Sequence, residues 1–213
     1  MGKLVIFDLD GTLLDTIDDI TDSMNLALRD VGLHQLTVDE CKYMVGSGAD
    51  ILVRKAIPDQ KYFEVVKSKY MQYYEEFQRN KTKPYNHIID VIKAINDKGI
   101  KIAILSNKPH DDAIRVVKHY FDMTLFALVM GKKPNNRIKP AIDGCLEILN
   151  NLDINKEDVL YVGDTNVDME TAKNAGFTSV AVTWGFRKRE ELKDYEYIID
   201  EPLELLDIVE EWK

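Results

Sequence analysis

Four short apolar runs, at 4–7, 100–105, 159–162 and 179–183, do most to limit what this chain can become. Each is strand-length and lacks polar alternation, which is how a strand covered on both faces of a parallel sheet reads. The first three break at once into small or polar residues: "DLDGT", "SNKP" and "GDTNVD". Helix-like stretches lie between the runs, including 88–97 before Lys98-Gly99, 141–151 opening at Pro140, and 165–174 closing at Gly176. Strands alternating with helices predict an α/β fold with a doubly wound parallel sheet. Ligands of such sheets bind beyond the carboxyl ends of the strands, where the three polar clusters fall.

The interval 17–84 departs from this alternation. It reads as helices at 17–31, 38–43, 49–56 and 60–79, with no strand as clear as the others. One helix is enough for a crossover, so the excess predicts an inserted helical subdomain at 17–84 in a core formed by 1–16 and 85–213. At 213 residues the chain is long enough for one large domain with a smaller insertion. The basic stretch from Lys61 to Lys83 reads as a solvated helix face. The tail "YEYIIDEPLELLDIVEEWK" predicts one more short strand and a closing helix.

A formal charge of −9 argues against non-specific nucleic-acid binding and requires any anion site to be built locally. No apolar run reaches membrane-spanning length, and the N-terminus has no signal-peptide h-region. Met1-Gly2 is not followed by a myristoylation motif, because Ile6 stands where Ser or Thr is needed. Cys41 and Cys145 match neither a disulfide framework nor a zinc pattern, which suits a reducing cytosol. The expectation is a soluble cytoplasmic protein.

The polar clusters carry the chemistry. Asp8 and Asp10 fall on one side of an extended chain, roughly 6–7 Å apart, and raise each other's pKa unless a cation lies between them. A helix cap accounts for one carboxylate; Mg²⁺, which takes oxygen ligands, accounts for both. Gly11 lets the backbone approach a ligand. Asp164 follows a buried strand and should share that sheet edge. Thr165-x-x-Asp168 matches a capping box, which leaves Asp168 open between helix cap and support of a metal site. Pro140 suits the first helical position, so Lys139 is expected at the positive end of a helix, a placement that a bound anion would favour. Ser106 and Asn107 follow the second strand and could hold phosphate oxygens. The four histidines show no metal-ligand spacing, and neither a nucleophile elbow nor a P-loop is present.

In this order and at strand ends, "DLDGTLLD", "LSNK", "IKP" and "GDTNVD" resemble the four motifs of the haloacid dehalogenase superfamily of phosphohydrolases. A helical insertion after the first strand, "NKP" and "VGSG" at 45–48 are similar to that superfamily's phosphoglycolate phosphatase-like branch, although Ile142 stands where the branch often has a second proline. The resemblance implies a Rossmann-like core with a helical cap. It implies Asp8 as the nucleophile that becomes an aspartyl phosphate, and Asp10 as the acid and then the base. The implied metal set is Asp8, Asp10 through its backbone carbonyl, and Asp164, with Asp168 in support. Thr12, Ser106 and Lys139 would bind the phosphoryl group. Gly46, Ser47 and Gly48 are candidates for a specificity loop, with Arg54 beside them. The implied activity is Mg²⁺-dependent hydrolysis of a small-molecule phosphate ester, 2-phosphoglycolate first, by a monomer or homodimer without nucleic-acid or membrane partners. A pyrophosphatase or a β-phosphoglucomutase-like phosphotransferase could use the same site. A phospho-acceptor signalling domain would lack the Asp10 shuttle and need no insertion.

Overall fold

The computed structural model describes residues 2–212. Strand β1 (Leu4–Phe7) runs into a tight turn and a two-residue strand, β2 (Leu14–Asp15). Helices α1 (Ile17–Arg29), α2 (Val38–Met44), α3 (Ala49–Ala56) and α4 (Phe63–Phe77) follow, and β3 (Lys83–Pro84) returns antiparallel to β2. The rest alternates: α5 (Ile88–Asp97), β4 (Lys101–Pro109), α6 (His110–Tyr120), β5 (Leu128–Lys132), α7 (Asp143–Leu152), β6 (Val159–Gly163), α8 (Asn166–Ala175) and β7 (Thr178–Val182). Strand β8 (Tyr197–Ile199) and helix α9 (Glu204–Glu211) form the expected tail.

Six strands make one sheet in the order β5-β4-β1-β6-β7-β8, and every neighbouring pair is parallel. All four residues of β1 are buried because it lies inside the sheet with both faces covered. Val5 and Phe7 pack on one face with Ile92 of α5, Val116 of α6 and Leu205 of α9. Leu4 and Ile6 pack on the other with Cys145 and Ile148 of α7 and Ala172 of α8. Full burial of each such side chain contributes about 1.5–3 kcal/mol, which sets which residues of β1 face which layer. Phe7 lies opposite Ile104 of β4 and Val162 of β6, so the residues following these three strands emerge side by side. The chain direction of the order reverses around β1, which makes this edge the switch point of the sheet.

Residues between β2 and β3 hold an apolar cluster of their own. Ile20, Met24 and Leu28 recur at four-residue spacing on α1 and meet Val66, Tyr70 and Tyr74, spaced likewise on α4. The Asp19 carboxylate ties the start of α1 to the returning segment, accepting from Lys81 N, Thr82 N and Thr82 Oγ1 at 2.7–3.1 Å. Phe186, from the loop after β7, packs into this cluster from the core. The basic residues at 61–83 pair on the surface, as Lys69 does with Asp30 and Lys81 with Asp22.

Several expectations shift. Strand β5 and helix α6 have no counterpart among the expected elements; for β5 the reason is that Leu128–Lys132 is only partly covered at the sheet edge and ends in Gly131-Lys132. The expected helix 60–79 is a 3₁₀ turn followed by α4. The helix expected to open at Pro140 begins at Asp143, after a turn at 139–142. Lys139 is therefore not at a helix N-terminus, and the macrodipole does not set its environment.

Candidate active site

Asp8 is carried out of β1 with its N–H still donating to Val162 O at 2.9 Å, so the backbone at this position is held by the neighbouring strand. The chain then turns sharply: Gly11, at φ +88°, donates its N–H to Leu14 O. That conformation is open to glycine at no steric cost. Asp164 leaves β6 directly beneath this turn. A Cβ on Gly11 would lie 2.4 Å from Asp164 Oδ2, and one on Gly185 would lie 2.3 Å from Asp164 Cβ, so two glycines let two loops close on one carboxylate. Asp164 accepts from Thr12 Oγ1 at 3.0 Å and from Phe186 N at 2.8 Å.

Asp8, Asp164 and Asp168 are buried, and each brings a carboxylate oxygen within 4.8 Å of the others. The Lys139 ammonium, 3% exposed as a residue, lies 2.8 Å from Asp8 Oδ1 and 2.7 Å from Asp168 Oδ1. Asp168 is the cap that its motif predicts: Oδ2 accepts from Thr165 N at 3.1 Å and Thr165 Oγ1 at 2.6 Å at the start of α8, while Oδ1 takes Lys139. Burial and then Asp168 hold the Asp8 carboxyl well above the usual range, with Lys139 pulling the other way. Burial and Asp168 likewise push Asp164 up to about 7. Burial alone would lower Lys139, but Asp168 and Asp8 together outweigh it and raise it. One ammonium, in contact with Asp8 and Asp168, thus accompanies three buried carboxylates. An all-oxygen donor set short of positive charge fits a hard divalent cation.

The backbone around Lys139 is set by Asn107, not by a helix end. Asn107 Oδ1 accepts from Lys139 N at 2.8 Å, and its Nδ2 donates to Lys139 O at 3.1 Å and to Gly46 O at 3.0 Å. The amide of Asn107 is therefore engaged in joining β4, the Lys139 turn and the loop between α2 and α3.

A cavity of about 70 Å³ opens over Asp8, with Asp10, Ser106, Asn107 and Lys108 along its core side and Leu52 and Tyr70 among its helical side. Gly46 and Gly48 border it; Ser47 is not among the lining residues, and Arg54 lies on the surface with its guanidinium on Gln60 Oε1. Thr12, expected at the phosphoryl group, is fully buried and off the cavity wall because its hydroxyl is engaged by Asp164. The Asp10 carboxylate stands apart from the three clustered ones: Oδ1 is 3.1 Å from Lys108 Nζ. The expected metal set takes Asp10 through its backbone carbonyl, and this placement of its carboxylate is compatible with that. Lys108, Gly185 and Phe186 escaped the sequence reading. The place of Lys108 in "LSNK", just past the apolar run at 100–105, is the signal for the first; the two loop residues carry none.

No described helix is long and apolar enough to cross a membrane. Residues 5–182 match the family model described as haloacid dehalogenase-like hydrolase. Among sequence relatives, a phosphoglycolate phosphatase of Aquifex aeolicus is 31% identical, over 87% of this chain and 87% of its own length. One of Aliivibrio fischeri is 27% identical, over 90% and 88%. The crystal structure of a candidate phosphoglycolate phosphatase from Lactobacillus delbrueckii subsp. bulgaricus superposes with a TM-score of 0.92 at 30% identity, covering 97% of this chain and 98% of that one. With the match running from β1 to the end of β7, and so over every strand end that builds the site, this chain belongs to the haloacid dehalogenase-like hydrolase family.

Proposed function

We propose that this protein is a magnesium-dependent phosphomonoester hydrolase acting on a small phosphorylated metabolite, with 2-phosphoglycolate as the leading substrate. One observation carries the reading: Asp8 borders the cavity, with Lys139 on one oxygen and two further buried carboxylates beside it. The names of the Aquifex and Aliivibrio relatives support the choice of substrate.

Leu9 N and Lys139 Nζ both fall on Asp8 Oδ1, which leaves Oδ2 to attack phosphorus in line. The Asp8–phosphorus bond forms as the bond from phosphorus to the leaving oxygen breaks, and Asp10 gives that oxygen its proton. Asp10 then takes a proton from water, which attacks phosphorus and releases phosphate and Asp8. Lys139 and the Ser106 hydroxyl, itself beside the cavity, take up charge on the phosphoryl oxygens. Asp8, the Asp10 backbone carbonyl and Asp164, with Asp168 in support, would hold magnesium, which would supply the neutralisation that lets a carboxylate meet a phosphate dianion. Thr12 orients Asp164, and Asn107 orients Lys139.

Residues 17–84 act as the cap over a core of 1–16 and 85–213, the β2–β3 pair being where the chain leaves and returns. Closure of this cap excludes water from the reacting groups. The buried thiols of Cys41 and Cys145 are in keeping with a cytoplasmic enzyme.

The test is turnover of a panel of phosphate esters and pyrophosphate with Mg²⁺, beside Asp8→Asn and Asp10→Asn. Asp8→Asn is expected to abolish turnover and the acid-stable trapping of phosphate on the protein. Asp10→Asn is expected to lose about 10²–10⁴ in kcat while still binding metal. Equal turnover by wild type and Asp8→Asn removes the nucleophile and the reading with it.

A further inference from the structure

The cavity over Asp8 contains a charge that the reaction scheme does not use. Lys108 is the single cationic side chain lining it among the described residues, since Lys139 lies beneath Asp8 and outside the lining. Its side chain is 4% exposed. An ammonium has three donors. One is directed at Tyr74 Oη of α4, 2.5 Å away, and the ammonium also stands 4.5 Å from the centre of that ring. Asp10 Oδ1, 3.1 Å away, occupies at most one more, which leaves a third donor for an anion in the cavity. The helical side around it is mostly apolar: Ile20, Leu52 and Met71, with Phe186 from the core loop and the ring of Tyr70. Burying a lysine in such a wall is costly unless it meets an anion, and Asp10 alone is a partner that has to be free for proton transfer.

The geometry points to Lys108 as the residue that selects the leaving group: it receives a second anion, a carboxylate, carried by the phosphate ester a few atoms from the scissile oxygen. This rests on the phosphomonoesterase reading above and adds to it the residue that selects the leaving group. The small cavity admits only a short leaving group, and an apolar wall strengthens a charge-assisted contact while rejecting neutral polar groups that would be left unpaired. Lys108 also bridges β4 and α4, so an ester that engages it is held between core and cap.

The experiment compares kcat/KM for 2-phosphoglycolate with that for 2-hydroxyethyl phosphate, which has a hydroxymethyl group in place of the carboxylate. Wild type is measured beside Lys108→Gln and Lys108→Arg. Taking the ratio of the two esters cancels whatever the substitution does to Asp10, which both need. Wild type is expected to favour the carboxylate ester by about tenfold or more, Lys108→Gln to bring the ratio near one, and Lys108→Arg to keep most of it. Equal losses on both esters, or a wild-type ratio near one, overturn the assignment and leave the phosphatase reading standing. Turnover of neither ester beside turnover of another phosphate ester overturns the assignment alone, and turnover of no phosphate ester overturns both. Should Lys108→Gln fail to fold, inhibition of wild type decides: glycolate is expected to compete with substrate and ethylene glycol is not, and equal inhibition by the two overturns the assignment.

Discussion

Asp8→Asn should make the metal-free protein more stable while destroying its activity. The carboxylate oxygens of Asp8, Asp164 and Asp168 lie within 4.8 Å of one another, and Lys139 lies 2.8 Å from Asp8. With an effective dielectric constant of about 20, each like-charge pair repels by about 3.5 kcal/mol and the lysine attracts Asp8 by about 6 kcal/mol. Two repulsions of that size exceed the attraction by about 1 kcal/mol, before the cost of burying the Asp8 charge is counted. Asparagine keeps the shape and can still accept from Leu9 N, but removes the charge. A gain of about 1–3 kcal/mol follows, and each kcal/mol moves Tm by about 2–4 °C for a chain of this size. The assay is calorimetric or urea-induced unfolding of both proteins in EDTA at about pH 8, where exposed carboxylates are fully ionised. Excess MgCl₂ should then raise the Tm of wild type more than that of Asp8→Asn, because the cation relieves a repulsion the variant has lost. A lower Tm for Asp8→Asn in EDTA would refute the reasoning: Lys139 alone would then satisfy the cluster, with no need of a metal.

The stability of the metal-free protein should also fall as pH rises from about 5 to about 8, against the usual trend for carboxylates. Asp164 is pushed up to about 7, so between the ordinary aspartate value and that point the folded state binds more protons than the unfolded one, and stability drops with each rise in pH. Tm in EDTA across that range checks the sign, and the stabilisation by Mg²⁺ should grow over the same interval as the site loses its proton. Gly11→Ala places a methyl 2.4 Å from Asp164 Oδ2 in a left-handed backbone, so it should cost about 1–3 kcal/mol in strain and about 10² in kcat through displacement of Asp164. Urea unfolding and turnover read the two effects separately, and unchanged turnover would mean that Asp164 tolerates the shift.

Much of the fold can be read locally. Apolar runs such as Leu4–Phe7 and Val159–Gly163 announce covered strands, and the four-residue recurrence of Ile20, Met24 and Leu28 announces a helix packed on one side. Those patterns depend on periods within a single element, so they survive without knowledge of what lies across the sheet. The edge strand β5 was not legible for the same reason: half-covered, it lacks the pattern of the interior strands.

The polar clusters at three strand ends are likewise a property of the sequence, and a parallel sheet of this winding must gather strand ends at one edge. What each side chain does there is decided by contacts across the chain. Thr12 meets Asp164 across 152 positions, Asn107 meets Lys139 across 32, and Lys108 meets Tyr74 across 34. None of these pairs has a local period to betray it. Charge tells a lysine apart from its neighbours, but whether it stays in water or is buried beside a carboxylate depends on the wall that folding builds around it. The sequence determined which groups reach the edge of the sheet; the tertiary structure alone decided which were desolvated together, and desolvation is what turns a group of ordinary charges into a site.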